Sequence, residues 1–212
     1  MKLLLTSGGL QNDAIISALR ELTGKPFEEL NLVFIPTAAN AEEGDKRWLI
    51  KDLEMCNKLG FKEIDIVDIS APPSGFWEER LEKADIVFVE GGNTFYLLKY
   101  MKERGFDVVL KKLLEKEVVY VGVSAGSYVA CPTIEVATWK HQDRNRVGLE
   151  DLSALNLVPF LLSVHYKPEY KDILKAGIAG TKYPVRILND EQAILINDSE
   201  FRLVGDQEEI KI

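Results

Sequence analysis

In VVYVGVSAGSYVA, residues 118–130, four strand-forming residues lead into Gly122-Val123-Ser124-Ala125-Gly126 and then into a helix-compatible run. A G-x-S-x-G placed between a strand and a helix is the pattern of a nucleophile elbow. It strains the serine backbone and lifts Oγ out at the edge of a sheet. The flanking glycines let neighbouring backbone approach where a Cβ would clash. The helix that starts beside the serine turns N–H groups toward a developing oxyanion. Taken without partners, the same five residues also describe a plain tight connection.

A serine nucleophile needs a base, and the chain has two histidines. His141 sits in the polar stretch WKHQDRNR, which reads as an exposed loop. His165 ends the apolar run of FLLSVHYKP just before a proline-containing turn, so a strand can carry it to the same sheet edge as Ser124. Its structural alternative is a half-buried histidine satisfied by a backbone carbonyl. The third member is an acid that orients the imidazole. Glu135, Asp143, Glu150 and Asp151 lie between Ser124 and His165, the last three in a polar segment with no strand to hold them. Asp190 and Glu191, in ILNDEQAIL, occupy a turn between two strands, a firmer mount, so the order serine, histidine, acid is expected.

These residues need a scaffold. Apolar runs KLLLTS, NLVFIPTA, FKEIDIVDI, ADIVFVEGG and EVVYVGV alternate with amphipathic stretches. Helices are predicted after the first strand, over 41–59, from Asn93 to Gly105 and over 107–116. Nearly continuous apolar strands alternating with helices indicate a parallel sheet covered on both faces. In the last third PFLLSVHY, PVRILN, QAILIND and EFRLVGD are closely spaced, suggesting hairpins at one edge. The expected fold class is therefore α/β, mostly parallel with antiparallel C-terminal strands, as one domain over 1–212. Ligands of such sheets bind beyond the carboxyl ends of the strands, where the loops TSGG, EGGNT and GVSAG fall. Gly91 and Gly92 of the second loop bring backbone N–H groups close to a bound carbonyl. Asn93 is a plausible N-cap of the next helix. Trp48 and Trp77 read as packing residues, and the APPSGFW loop around Trp77 as a segment that could overhang the site.

Composition narrows the function. The net charge of −8 argues against a phosphate-backbone binder. The three-leucine run of MKLLLTSGG is too short for a signal peptide or a membrane span. Cys56 and Cys131 form no C-x-x-C, so neither a disulfide framework nor a zinc site is expected. Neither metal nor organic cofactor is expected. A cytoplasmic protein, monomer or homodimer, fits.

VEGGNTFYLL, GVSAGSYVACPTI and HYKPEY together resemble the peptidase E family of serine peptidases, which includes α-aspartyl dipeptidases and, more distantly, cyanophycinases. Most of the chain takes part. The most specific feature is G-G-N-T-F followed about thirty residues later by G-x-S-A-G. The resemblance implies a fold like class I glutamine amidotransferases, with serine in place of cysteine. It implies Ser124 as nucleophile, His165 as base and Asp190 as acid, preferred over Glu191, with the amides of Gly92 and Ala125 as oxyanion hole.

Two positions depart from the aspartyl dipeptidases. An aspartate after C-P-T-I recognises the substrate's amino end in those enzymes, and here Trp139 aligns with it. An arginine suited to a substrate carboxylate aligns with Ala179. Strict Asp-X selectivity is therefore not expected. Asn93, Glu135 and Trp139 are the expected substrate-binding positions, Glu135 as a replacement anion for an α-amine. The expected activity is hydrolysis of small peptides through an acyl-enzyme. The alternatives are a small-molecule binding or regulatory relative of the same fold, and a serine esterase.

Overall fold

The computed structural model describes residues 1–71, 76–140, 143–205 and 208–212. Its strands are β1 (Lys2–Thr6), β2 (Asn31–Ile35), β3 (Glu63–Ile66), β4 (Ile86–Val89), β5 (Val119–Val123), β6 (Leu161–Ser163), β7 (Val185–Ile187), β8 (Ala193–Asn197) and β9 (Glu200–Val204). Its α-helices are α1 (Asp13–Thr23), α2 (Arg47–Lys58), α3 (Glu78–Leu81), α4 (Thr94–Glu103), α5 (Phe106–Glu115), α6 (Ala125–Ala130), α7 (Val136–Trp139) and α8 (Lys171–Gly180).

The main sheet has the order β3-β2-β4-β5-β1-β8-β9. The first five strands in the chain are parallel, and β8 and β9 extend the sheet antiparallel from β1. Successive side chains on a strand point to opposite faces, and the core divides accordingly. Leu3 and Leu5 of β1 join Val87 and Tyr120 on the face covered by α4, α5 and α6. Leu4 joins Phe34, Phe88 and Val121 on the face covered by α1 and part of α2. Because β4, β5 and β1 are adjacent, the three glycine-bearing loops that follow them meet at one point of the sheet edge.

Local signals explain the helix ends. The Asn12 side chain accepts from the Ile15 amide and Asn93 from the Tyr96 amide, both at 3.0 Å, satisfying N–H groups that have no partner inside the helix. Gly24 ends α1 at φ 64°, a left-handed conformation that glycine adopts without a Cβ penalty.

Two expectations are corrected. The helix expected over 41–59 begins only at Arg47, because residues 37–41 form a 3₁₀ turn and Gly44 sits at φ 85°, outside the right-handed helical region. PFLLSVHY and PVRILN do not form edge hairpins. They pair parallel as β6 and β7 in a separate two-stranded sheet. A parallel pair requires a crossover, and α8 supplies it. Among the described residues no helix is long and apolar enough to cross a membrane.

Candidate active site

Ser124 has φ 48° and ψ −103°, a conformation that costs a non-glycine residue roughly 1–3 kcal/mol. Tight packing between β5, α6 and the neighbouring strands holds it there. A Cβ on Gly126 would lie 2.1 Å from the Val89 carbonyl oxygen, and one on Gly122 would lie 2.7 Å from the Gly126 carbonyl carbon. Only glycine at both positions lets α6 start against β4. The Ser124 amide donates to the Thr6 carbonyl at 3.1 Å, tying the turn to the end of β1.

His165 follows β6 and also has a positive φ, 54°. Its Nε2 lies 2.9 Å from Ser124 Oγ and its Nδ1 2.5 Å from Asp190 Oδ1. An ionised carboxylate only accepts hydrogen bonds. Nδ1 therefore carries the proton in the neutral ring, and Nε2 is free to accept from Ser124. The hydrogen bond from His165, supported by one from Ser7, holds the Asp190 carboxyl down to about 2. Glu191 is exposed and joins the turn through its backbone, accepting from Asn12 Nδ2 at 3.0 Å.

Ser7 in the TSGG loop ties these pieces together. Its Oγ accepts from the His165 amide at 2.7 Å and donates to Asp190 Oδ1 at 2.7 Å. One hydroxyl thus bridges the strained backbone of the histidine and the carboxylate that orients its ring.

The EGGN loop lies against Ser124. A Cβ on Gly91 would sit 3.3 Å from Ser124 Cβ. Gly92 has φ 127°, and a Cβ there would lie 2.5 Å from both the carbonyl carbon and the oxygen of Ala38. The two amides differ. That of Gly91 donates to Glu90 Oε1 at 2.8 Å, whereas among the described residues those of Gly92 and Ala125 donate to no protein acceptor.

A cleft of about 630 Å³ opens over these groups, lined among others by Ser7, Gly91, Gly92, Ser124 and His165. Trp48, read from sequence as packing, lines it too. Asn93, Glu135 and Trp139 do not. Asn93 caps α4 and donates from Nδ2 to the Arg144 carbonyl at 3.0 Å. Glu135 accepts from Thr181 Oγ1 at 2.5 Å, past the end of α8. The Trp139 indole packs so closely on α8 that a Cβ on Gly177 would lie 2.4 Å from it. Both residues serve the α7–α8 contact rather than the cleft. Ala179 is exposed on α8 and does not line the cleft either.

Two other acids weighed as triad members have other partners, although Asp143 lines the cleft. Asp143 binds the Thr94 amide at 3.1 Å and its hydroxyl, and Asp151 pairs with Lys102 at 2.7 Å. His141 and residues 72–75 of the APPSGFW loop lie outside the described residues.

Sequence reasoning missed four residues. Lys140, expected in an exposed loop, is 8% exposed and donates from Nζ to the Val164 carbonyl, beside His165. Burial pushes its ammonium down to about 8, against the pull of the Asp190 and Asp143 charges. Ser7 carried no signal beyond its loop. Asp52 and Glu90 did carry one. Asp52 follows Trp48 and precedes Cys56 at four-residue spacing, so a carboxylate stands on the inward stripe of α2. Glu90 ends an otherwise apolar strand.

Comparison with known proteins agrees with the resemblance. The sequence profile described as Peptidase family S51 matches residues 3–204. An uncharacterized peptidase of Pasteurella multocida is 29% identical over 175 residues, 81% of this chain and 84% of that protein. A peptidase E of Escherichia coli O6:K15:H31 is 31% identical over 204 residues, 96% of this chain and 81% of that protein. A candidate peptidase E of Listeria monocytogenes, known from a crystal structure, superposes with a TM-score of 0.84 at 26% identity, covering 97% of this chain and 98% of that one. The fold is thus that of peptidase E, which resembles class I glutamine amidotransferases. With a profile match over nearly its whole length, this chain belongs to peptidase family S51, a family of serine-type peptidases.

Proposed function

We propose that this chain hydrolyses small peptides through an acyl-enzyme on Ser124, with His165 as general base and Asp190 as the orienting acid. The observation that carries this is the continuous hydrogen-bonded series from Ser124 Oγ through His165 to Asp190, at 2.9 and 2.5 Å, on a serine held at positive φ. His165 Nε2 takes the Ser124 proton as Oγ attacks the peptide carbonyl carbon. Negative charge moves to the carbonyl oxygen, where the two uncommitted amides, of Gly92 and Ala125, donate to it. Asp190, ionised throughout the neutral range, holds the tautomer and stabilises the imidazolium. The imidazolium then protonates the leaving amine. Water, deprotonated by the same nitrogen, attacks the acyl-enzyme and releases the acid.

Strict Asp-X selectivity is not part of the proposal. The positions aligned with the family's amine-binding aspartate and carboxylate-binding arginine are Trp139 and Ala179, and neither lines the cleft. The free thiols of Cys56 and Cys131 suit a cytoplasmic location. The test is covalent labelling with a fluorophosphonate followed by peptide mapping. An adduct on Ser124 that is lost in His165→Ala supports the assignment. Labelling on Ser7 or Ser127 instead, or none at all, removes it.

A further inference from the structure

Four carboxyl groups line the cleft without a role in the acyl transfer described above: Glu42, Asp143, which the Thr94 amide and hydroxyl bind, and the neighbouring pair Asp52 and Glu90. Glu90 follows β4 directly and is 0% exposed, while Asp52 on α2 is 9% exposed, and both line the same cleft as Ser124. Glu90 Oε1 is held by the Gly91 amide, but Oε2 is a buried oxygen with no hydrogen-bond partner. The Asp52 carboxyl is its neighbour: with Glu90 protonated the two share a hydrogen bond, and once both are ionised neither offers the other a proton. Asp52 is pressed under the loop after β1, where a Cβ on Gly9 would meet its Oδ2 at 3.0 Å. Among the described residues no lysine or arginine makes an ion pair with either group. Lys51 and Lys140 line the cleft, but Lys51 is exposed, the Lys140 ammonium is held by the Val164 carbonyl, and neither is within ion-pair distance of the two carboxyls.

Burying two carboxyls without a countercharge is costly. The protein bears this by holding them partly protonated. Burial pushes Glu90 well above the usual carboxylate range, with the Asp52 charge adding to it, and burial pushes Asp52 up to about 6. An occupant that brought positive charge and donors would remove the cost.

The surroundings say what kind of occupant fits. Trp48 lies one turn before Asp52 on α2 and lines the cleft, as do Val123, Tyr128 and Ala137. Apolar and aromatic walls with buried acids among them suit a methylene stem ending in a cation, since an aromatic face itself attracts cations. A carboxylate would add a third like charge, and a neutral donor would satisfy Glu90 Oε2 without offsetting the charge of the pair.

Building on the serine-peptidase assignment, we propose that Asp52 and Glu90 form the specificity pocket for the residue whose carbonyl Ser124 attacks, and that they select a lysine or arginine side chain there. Lysine brings three donors and arginine a planar fork, and either satisfies both carboxyls at once. With negative charge at this point of the cleft, the preference expected is basic rather than acidic.

Binding separates this from the chemistry. Titration calorimetry with Ser124→Ala, which cannot turn substrate over, compares Lys-Ala and Arg-Ala with norleucyl-Ala, Glu-Ala and Nα-acetyl-Lys-Ala. The expected result is binding of Lys-Ala and Arg-Ala roughly tenfold or more tighter than norleucyl-Ala, the scale of one charge-assisted contact. That preference should vanish when Asp52→Asn or Glu90→Gln is added, and binding should release protons near pH 6.

Equal binding of lysyl and norleucyl peptides overturns the proposal, as does a preference that survives both carboxyl variants. Loss of binding on acetylation without any lysine preference would assign the pair to the α-amine and equally overturn it. If one carboxyl variant does not fold, the other variant and the lysine–norleucine comparison decide. Hydrolysis is read separately with the native chain. Lysine-selective binding without turnover would leave the pocket standing and remove the peptidase mechanism. Turnover of norleucyl-Ala without lysine preference would do the reverse.

Discussion

Asp52→Asn should stabilise the protein at neutral pH, although it removes a charged side chain from a buried position. The Asp52 carboxyl titrates at about 6 rather than 3.8 because burial disfavours its charge. The direction follows from linkage. A carboxyl raised in the folded state contributes its full stability below 3.8, where it is protonated in both states. That stability is lost as pH rises from 3.8 through about 6, as the unfolded chain ionises first. The interval corresponds to roughly 3 kcal/mol on the scale of 1.36 kcal/mol per pH unit. Of the ionisable groups facing Asp52, Glu90 shares its titration, Lys51 pulls it slightly down and the Cys56 thiol is pushed up by burial, so Cys56 adds no charge in this window. Asparagine is isosteric, cannot ionise and can donate to the unpartnered Glu90 Oε2. Urea unfolding of both proteins at pH 4, 6 and 8 measures the effect. The variant should gain little at pH 4 and on the order of 3 kcal/mol at pH 8, about 6–12 °C in Tm for a chain of this size. A difference independent of pH, or a variant less stable at pH 8, would refute the reasoning.

Other perturbations probe the catalytic geometry. Ser7→Ala removes the bridge between the His165 amide and Asp190. It should lower kcat roughly tenfold to a hundredfold with KM little changed, the scale of a misplaced catalytic group. A change in KM alone would place Ser7 in substrate binding. Gly92→Ala forces a Cβ to within 2.5 Å of the Ala38 backbone. Steady-state rates should fall about 10²–10³-fold as the oxyanion donor shifts, and wild-type rates would exclude that amide. Asp190→Asn should lower kcat by roughly 10⁴ through the wrong histidine tautomer. Glu191→Gln should leave kcat within about twofold, as expected of an exposed substitution away from the reacting groups. Comparable losses in both would reopen the choice of acid.

Much of the fold is written into local pattern. β1, β2, β4 and β5 read as uninterrupted apolar runs because a parallel sheet buries both faces, and the Asn12 and Asn93 caps lie within three residues of the amides they bind. Ser124 was legible because strand, glycines and helix are contiguous there. The pairing of β6 with β7 was not, since runs of three residues say nothing about their partner. Lys140 was misread because a polar stretch looks solvated, whereas its ammonium is held inside by the Val164 carbonyl. Ser7 and Asp52 meet the site only through long-range packing, with Ser7 158 residues from His165 in the chain, and Glu90, though next to Gly91, meets Asp52 in the same way. Their chemistry depends on neighbours that no local window contains.

The central claim is that Ser124 is the nucleophile of a peptidase, and the most direct measurement is peptide hydrolysis by the native chain against Ser124→Ala. The panel holds free-amino-terminus dipeptides with basic, neutral and acidic first residues, with unfolding curves confirming that the variant is folded. A loss of roughly three to six orders of magnitude in kcat is predicted. Turnover by the folded variant at the native rate would contradict the account.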